Sequence, residues 1–398
     1  MDLKTEVKLE EQFLKQAIDI SKGAEVLPNG VEELARKLQD SYYSKKPLRV
    51  KLGLDPTRPD LHLGHTVVMR KLKKFQDLGH QIVLIVGGAT AMVGDPSGKS
   101  ETRPALSKEQ VAENAKTYFE QMSKVIDIEK AEVRNNADWL HSMSFVDFLK
   151  LASATTVAKL MTRDDFAKRY AEGRPISPVE FFYPLMQGYD SVAVDADIEF
   201  GGTDQRFNLL MGRDIQTFYG LNKMQIVMMT PLIEGTDGVK KMSKTYPEHC
   251  ISLTEEPKNM YGKLMSIPDE LMEKYFTLLT DIEFNKENNP RDEKMRLAYE
   301  VTKMYNGKDA ADAAQNEFIN VVQNKGVPDD IEEVKVNSNN ILDILVELNF
   351  VQSKGEAKRL VAGGGVKFDG EKITDIQTTL DKEGILQGGK RKYAKIKF

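Results

Sequence analysis

The chain has 398 residues, 40% of them hydrophobic and 29% charged, with a net charge of −5. That profile excludes disordered and fibrous classes and leaves room for two or three domains, while the negative balance confines any RNA contact to local basic patches. One cysteine, Cys250, excludes a disulfide framework, and with no apolar run near ~20 residues and a charged Met1–Glu6 start, a soluble cytoplasmic protein with no membrane partner is expected.

Residues 1 to about 46 read as helix, with Phe13, Leu14, Ile18, Val31, Leu34 and Leu38 at helical spacing. Leu48–Leu54 reads as a strand, His62–Leu78 as a helix closed by Gly79, and Gln81–Val86 as a strand covered on both faces. Strand, helix and strand in this order predict a βαβ unit and an α/β fold with a parallel sheet. Ser107 with Gln110 resembles a capping box opening a helix to about Val125, and helical patterns then dominate to Asp190. Asp197–Phe200 is the next strand, followed by Gly201-Gly202, a helix over about 203–219 and a strand over Gln225–Met229. From Leu253 to about Val322 the pattern is helical. Asn324–Asn340 reads as a connection, and the last 60 residues as a small α/β unit.

Two stretches carry chemistry. His62-Leu63-Gly64-His65 lies between a strand and a helix, where an open parallel sheet binds its ligands. The histidines share a helix face, Gly64 leaves that face bare, and the helix N-terminus favours phosphate. Two imidazoles there can stabilise charge on an attacked phosphorus; a metal pair or ordinary helix-start histidines would use the same residues. Lys241-Met242-Ser243-Lys244-Thr245 follows Gly238 and a strand, and such a loop can neutralise a leaving pyrophosphate, although a charged surface turn is the commoner reading. Gly98-Lys99-Ser100 imitates the end of a phosphate loop, but the glycine required five residues earlier is Val93.

Taken together, the two stretches resemble the HIGH and KMSKS signatures of class I aminoacyl-tRNA synthetases, each departing by one conservative residue. Tyr183, Gln187 and Asp190 then fall on one helix face interleaved with Phe181, Phe182, Leu185 and Met186. With Gly87–Thr90, Gly94–Gly98 and Phe200–Gln205, these blocks are similar to the bacterial tyrosyl-tRNA synthetases over most of residues 48 to 250. The fold implied is a Rossmann-like parallel-sheet catalytic domain over 1–250, with a helical insertion at about 105–190. An α-helical anticodon-arm domain over 251–325, a linker over 326–339 and an S4-like RNA-binding domain over 340–398 would follow.

The resemblance implies that tyrosine and ATP form tyrosyl-adenylate, whose tyrosyl group passes to the 3′ end of tRNA(Tyr). Asp95, Tyr183 and Gln187 would hold the substrate ammonium, Asp190 the phenol hydroxyl, and Gln205 the carboxyl region. Asp204 would bind the ribose, and His62, Gly64 and His65 the α-phosphate. Lys241, Lys244 and Thr245, with Lys99 and Arg103, would hold the pyrophosphate. Magnesium would accompany ATP, with no protein-bound metal or organic cofactor, and a homodimer would form through the helical insertion. One departure stands out: Lys51-Leu52 occupies the place of a Tyr-Cys pair in the commonest form, which suggests a second bacterial subtype and leaves Lys51 without a role. Residues 340–398 hold 11 basic and 8 acidic side chains, and Lys354, Lys358, Arg359, Lys390, Arg391 and Lys392 would form an RNA-binding surface. The rival readings are a tryptophan–tRNA ligase of the same subclass and a non-catalytic, synthetase-derived RNA-binding protein.

Overall fold

The computed structural model describes residues 3–54, 60–93, 108–320, 331–389 and 392–398. The first part contains α1 (Leu3–Ser21), β1 (Glu25–Leu27), α2 (Gly30–Ser44), β2 (Arg49–Leu54), α3 (Leu63–Asp77), β3 (Gln81–Val86), α4 (Thr90–Val93) and α5 (Lys108–Met122). There follow β4 (Glu132–Asn135), α6 (Ala137–Leu140), α7 (Phe145–Ala152), α8 (Val157–Leu160), α9 (Asp164–Ala171), α10 (Pro178–Ala193), β5 (Ile198–Gly202), α11 (Arg206–Phe218) and β6 (Ile226–Thr230). The helices α12 (Pro257–Met265), α13 (Met272–Leu279), α14 (Pro290–Asn306) and α15 (Lys308–Phe318) come next. The remainder holds β7 (Glu333–Lys335), α16 (Ile341–Glu347), α17 (Lys354–Ala362), β8 (Val366–Phe368), β9 (Glu371–Ile373), β10 (Gly384–Gly388) and β11 (Lys392–Lys397).

The chain divides into two compact units, Met1–Ala311 and Asp312–Phe398. In the first, a six-stranded sheet has the order β1-β6-β5-β2-β3-β4. All its neighbours are parallel except β1, which runs antiparallel to β6. The chain proceeds from β2 outward to β3 and β4, then returns to β5 on the other side of β2. Neighbouring strands whose connections leave in opposite directions create a crevice at their carboxyl ends, the usual ligand position in such sheets. The parallel α/β expectation therefore holds.

Two strands of the first unit, and one of the second, are not legible in the sequence. The three-residue β1 interrupts the predicted first helix, with Lys45 and Asn29 in left-handed conformations bounding α2. β4 was absorbed into a helical stretch because its exposure alternates along an edge strand with little apolar content. In the second unit, β7 lies in the stretch read as a connection and pairs parallel with β11. Its sheet has the order β7-β11-β10-β8-β9 and covers a core of Ile341, Ile344, Leu345, Val361, Val366, Leu386 and Ile396.

Candidate functional site

The first stretch is built as a helix start. His62 is the N-cap of α3, with extended backbone. Its Nδ1 accepts from the Gly64 N–H at 3.1 Å, and its own backbone N–H donates to His65 Nδ1 at 3.2 Å. The two ring centroids lie 4.0 Å apart. With each Nδ1 acting as acceptor, both neutral rings carry their proton on Nε2, giving two adjacent N–H donors. Burial, the mutual proximity of the rings and the charges of Lys244 and Lys241 push His62 down to about 2. Burial and Lys244 hold His65 at about 4. The rings are therefore uncharged donors at neutral pH. Gly64 has a different neighbour from the one expected: a Cβ there would lie 2.9 Å from the His62 ring, so its bare face first accommodates that imidazole.

The chain that follows the second stretch is held to the first by backbone. Leu63 N–H donates to Ile251 O and Leu253 N–H to Leu61 O, both at 3.0 Å, so His62 sits opposite Ser252 in a short antiparallel bridge. The lysine loop itself is a hairpin. Met242 is buried, its N–H donates to Ile233 O at 2.8 Å, and Gly238 turns the chain at φ +72. Lys241 Nζ donates to Asp204 Oδ2 at 2.9 Å, and Lys244 Nζ lies 3.9 Å from Asp60 Oδ2. Thr245 is exposed, and its N–H donates to Ser243 Oγ at 3.2 Å. Asp204 and Gln205 follow β5 in a single 3-10 turn. Gly201 makes room for Gln205, whose Oε1 would lie 2.7 Å from a Cβ at that position.

Tyr183, Gln187 and Asp190 all lie on α10 and are all buried, as their interleaving with apolar residues suggested. Asp190 Oδ1 accepts from Trp139 Nε1 at 2.9 Å, and Oδ2 from Asn136 Nδ2 at 3.2 Å. Burial raises this carboxyl to about 7 against the lowering pull of Lys51 and the two donors. Asn136 also accepts from the Ala89 N–H at 2.9 Å and donates to Thr90 Oγ1 at 3.1 Å, tying the Gly87–Thr90 turn to Asp190. Neither Asn136 nor Trp139 was singled out from sequence. Their signals are a lone tryptophan and an asparagine pair at the end of β4, a strand that is itself not legible in the sequence.

Lys51, left without a role, is fully buried and ion-paired to Glu199 at 2.9 Å. Asp95, Lys99, Arg103, Lys390 and Arg391 lie outside the described residues. In the second unit, Lys358 and Arg359 are exposed and Lys354 pairs with Asp343. Lys392 instead donates to Asn349 O at 2.9 Å and Phe350 O at 2.6 Å, closing the turn after α16.

Comparison with known proteins places the chain. The family model of class I tRNA synthetases (W and Y) matches residues 43–323, and a model of the tyrosine–tRNA ligase C-terminal domain matches residues 321–396. The chain belongs to the class I tRNA synthetases of the tryptophan and tyrosine type. Within that class it stands with the tyrosine–tRNA ligases. It is 54% identical to that of Thermotoga maritima over 90% of this chain and 93% of the relative. It is 48% identical to that of Moorella thermoacetica over 98% and 97%. Among solved structures, the tyrosyl-tRNA synthetase of Archaeoglobus fulgidus complexed with L-tyrosine shares the fold at TM-score 0.60 and 21% identity, covering 76% of this chain and 99% of that one. A truncated mitochondrial tyrosyl-tRNA synthetase from Aspergillus nidulans matches at TM-score 0.61 and 22% identity, over 76% and 92%. The rival tryptophan and non-catalytic readings are not favoured by these relatives. Among the described residues no helix is long and apolar enough to cross a membrane.

Proposed function

We propose that this tyrosine–tRNA ligase joins tyrosine to ATP at the β2–β5 crevice and then charges tRNA(Tyr). The observation that carries the assignment of roles is that the charges of Lys244 and Lys241 act on both imidazoles, while the 61–63/251–253 bridge holds the chain following the lysine hairpin against the histidine pair. The tyrosine carboxylate attacks the α-phosphorus and pyrophosphate leaves; the ribose hydroxyl of the tRNA 3′ end then takes the acyl group from the adenylate. No side chain forms a covalent intermediate, so the protein contributes position and charge. The Nε2–H groups of His62 and His65 stabilise charge developing at the α-phosphate. Lys241, Lys244 and Thr245, with Lys99 and Arg103, neutralise the departing pyrophosphate, and magnesium arrives on the ATP phosphates. Asp204 binds the ribose after exchanging its Lys241 partner for it.

Tyr183, Gln187 and Asp95 take the ammonium, Gln205 the carboxyl region and Asp190 the phenol hydroxyl. Phenylalanine would leave that buried carboxyl unsatisfied. Residues 251–325 serve the anticodon arm, and Lys354, Lys358, Arg359 and the basic end contact tRNA phosphates from an S4-like domain over 340–398. The enzyme is a cytoplasmic homodimer, with the exposed Phe145, Val146, Leu149 and Val157 of the helical insertion supporting a self-association face.

Replacing His65 or Lys244 by Ala tests the site. Adenylate formation in rapid-quench assays should slow by roughly 10²–10³-fold, with tyrosine affinity changed less than about twofold. Unchanged rates in both variants would remove these roles.

A further inference from the structure

Lys51 and Glu199 are register partners on the adjacent parallel strands β2 and β5, and neither side chain has measurable solvent exposure. Lys51 Nζ spends its three protons on Glu199 Oε1 at 2.9 Å, Ser191 Oγ at 2.7 Å and the Gln187 carbonyl at 3.0 Å. Glu199 is equally saturated. Its Oε1 also accepts from Gln187 Nε2 at 3.0 Å, and its Oε2 from Ser191 Oγ at 3.1 Å and from Gln225 Nε2. The pair thus grips α10 at two positions four residues apart, with Asp190 between them.

The grip has chemical consequences for both substrate-facing residues. Gln187 has its amide orientation fixed, because Nε2 is committed to Glu199 while Oε1 accepts from Asn208 Nδ2 at 3.2 Å. The oxygen keeps one lone pair, which suits an ammonium donor. Asp190 is the other. Lys51 opposes the effect of burial on its carboxyl, whereas Glu199 adds to it more weakly. The neighbouring helix makes space for the cage: a Cβ on Gly212 would lie 3.0 Å from Glu199 Oε2 and 3.1 Å from Ser191 Oγ.

A completely buried ion pair is a poor way to stabilise a fold, since well-packed apolar residues of similar volume commonly do as well or better. We propose that the Lys51–Glu199 pair is a positioning device for amino-acid selection, fixing the Gln187–Ser191 turn so that Asp190 and Gln187 meet the tyrosine hydroxyl and ammonium. The inference rests on the tyrosine pocket proposed above.

The test uses the full-length protein and amino-acid-dependent pyrophosphate exchange. The variants are the double replacement Lys51→Met with Glu199→Met, the milder Glu199→Gln, and Asp190→Asn as reference. The double variant removes the charges without leaving either one alone. It should raise the KM for tyrosine at least tenfold, keep the KM for ATP within twofold, and lower the tyrosine-over-phenylalanine preference in kcat/KM at least tenfold. Glu199→Gln should shift the same two quantities at least threefold, and it decides the matter if the double variant does not fold. A folded double variant, or failing that Glu199→Gln, with tyrosine KM and preference within twofold of the parent would overturn the inference. If Asp190→Asn loses the preference in that case, the pocket stands and only the positioning role falls. If Asp190→Asn also keeps it, the pocket reading itself falls.

Discussion

Asp190 and three histidines of lowered pKa tie the chemistry of single residues to pH in opposite senses. Asp190 is raised to about 7 by burial, so on lowering pH through that value it becomes a neutral acid that accepts less well from a phenol. The kcat/KM for tyrosine in pyrophosphate exchange should therefore climb as pH rises toward about 7 and level off above it. His62 and His65 titrate far below this window, so a profile flat from pH 5.5 to 8.5 would contradict the role given to Asp190. Stability follows the histidines. A histidine whose folded pKa lies below its unfolded value contributes stability that is fully present above about 6.5 and is lost as pH falls toward the folded value. His80, held at about 4 by burial, accepts from the Leu48 N–H at 3.2 Å and stands outside the chemistry. Asp190 has the reverse sign, its raised pKa removing stability as pH climbs from 3.8 to about 7. His80→Gln should flatten the fall in melting temperature between pH 6.5 and 4, since one such histidine is worth on the order of 3 kcal/mol. An unchanged slope would show that His80 is not held neutral. Local motif chemistry made His62, His65, Lys241, Lys244 and the α10 triad legible in the sequence, because each lies in a short run with a fixed period. Lys51 and Glu199 were not legible. Their meaning comes from β2–β5 register across 148 positions of chain, and a lysine inside an apolar strand is uninformative until its partner is known.

Helix α10 is the element through which most of the site is organised. Its periodicity placed Tyr183, Gln187 and Asp190 on a buried face, and the structure adds Pro184 inside the helix and Gly188 at its closest crossing with α11. A Cβ on Gly188 would meet Ile215 Cγ1 at 2.9 Å and Gly212 Cα at 3.4 Å. Gly212 returns the contact and leaves room for the Glu199 cage. Gly212→Ala should therefore cost about 1–3 kcal/mol through overpacking, read as a lower melting temperature together with a higher tyrosine KM. A stability loss with unchanged tyrosine KM would separate helix packing from substrate binding. The edge elements β1 and β4 escaped detection for a shared reason: three- and four-residue strands offer too few alternations to establish a period, and their pairing is supplied by distant chain.

At the scale of the molecule, the two compact units would carry separate tasks under the proposed function. The first holds the histidine pair, the lysine hairpin and α10. A chain ending at Asn320 should retain adenylate formation within about twofold yet charge tRNA poorly, and the full chain's charging should weaken steeply with salt, as phosphate contacts require. Equal charging by the two chains would remove the RNA-binding role of the second unit. The measurement that bears most directly on the whole account is pyrophosphate exchange by the full-length protein with tyrosine, phenylalanine and tryptophan in turn. Exchange should be strong with tyrosine, weak with phenylalanine and negligible with tryptophan, and Asp190→Asn should erase the first distinction. Equal exchange with tyrosine and phenylalanine, or none with any of the three, would contradict it.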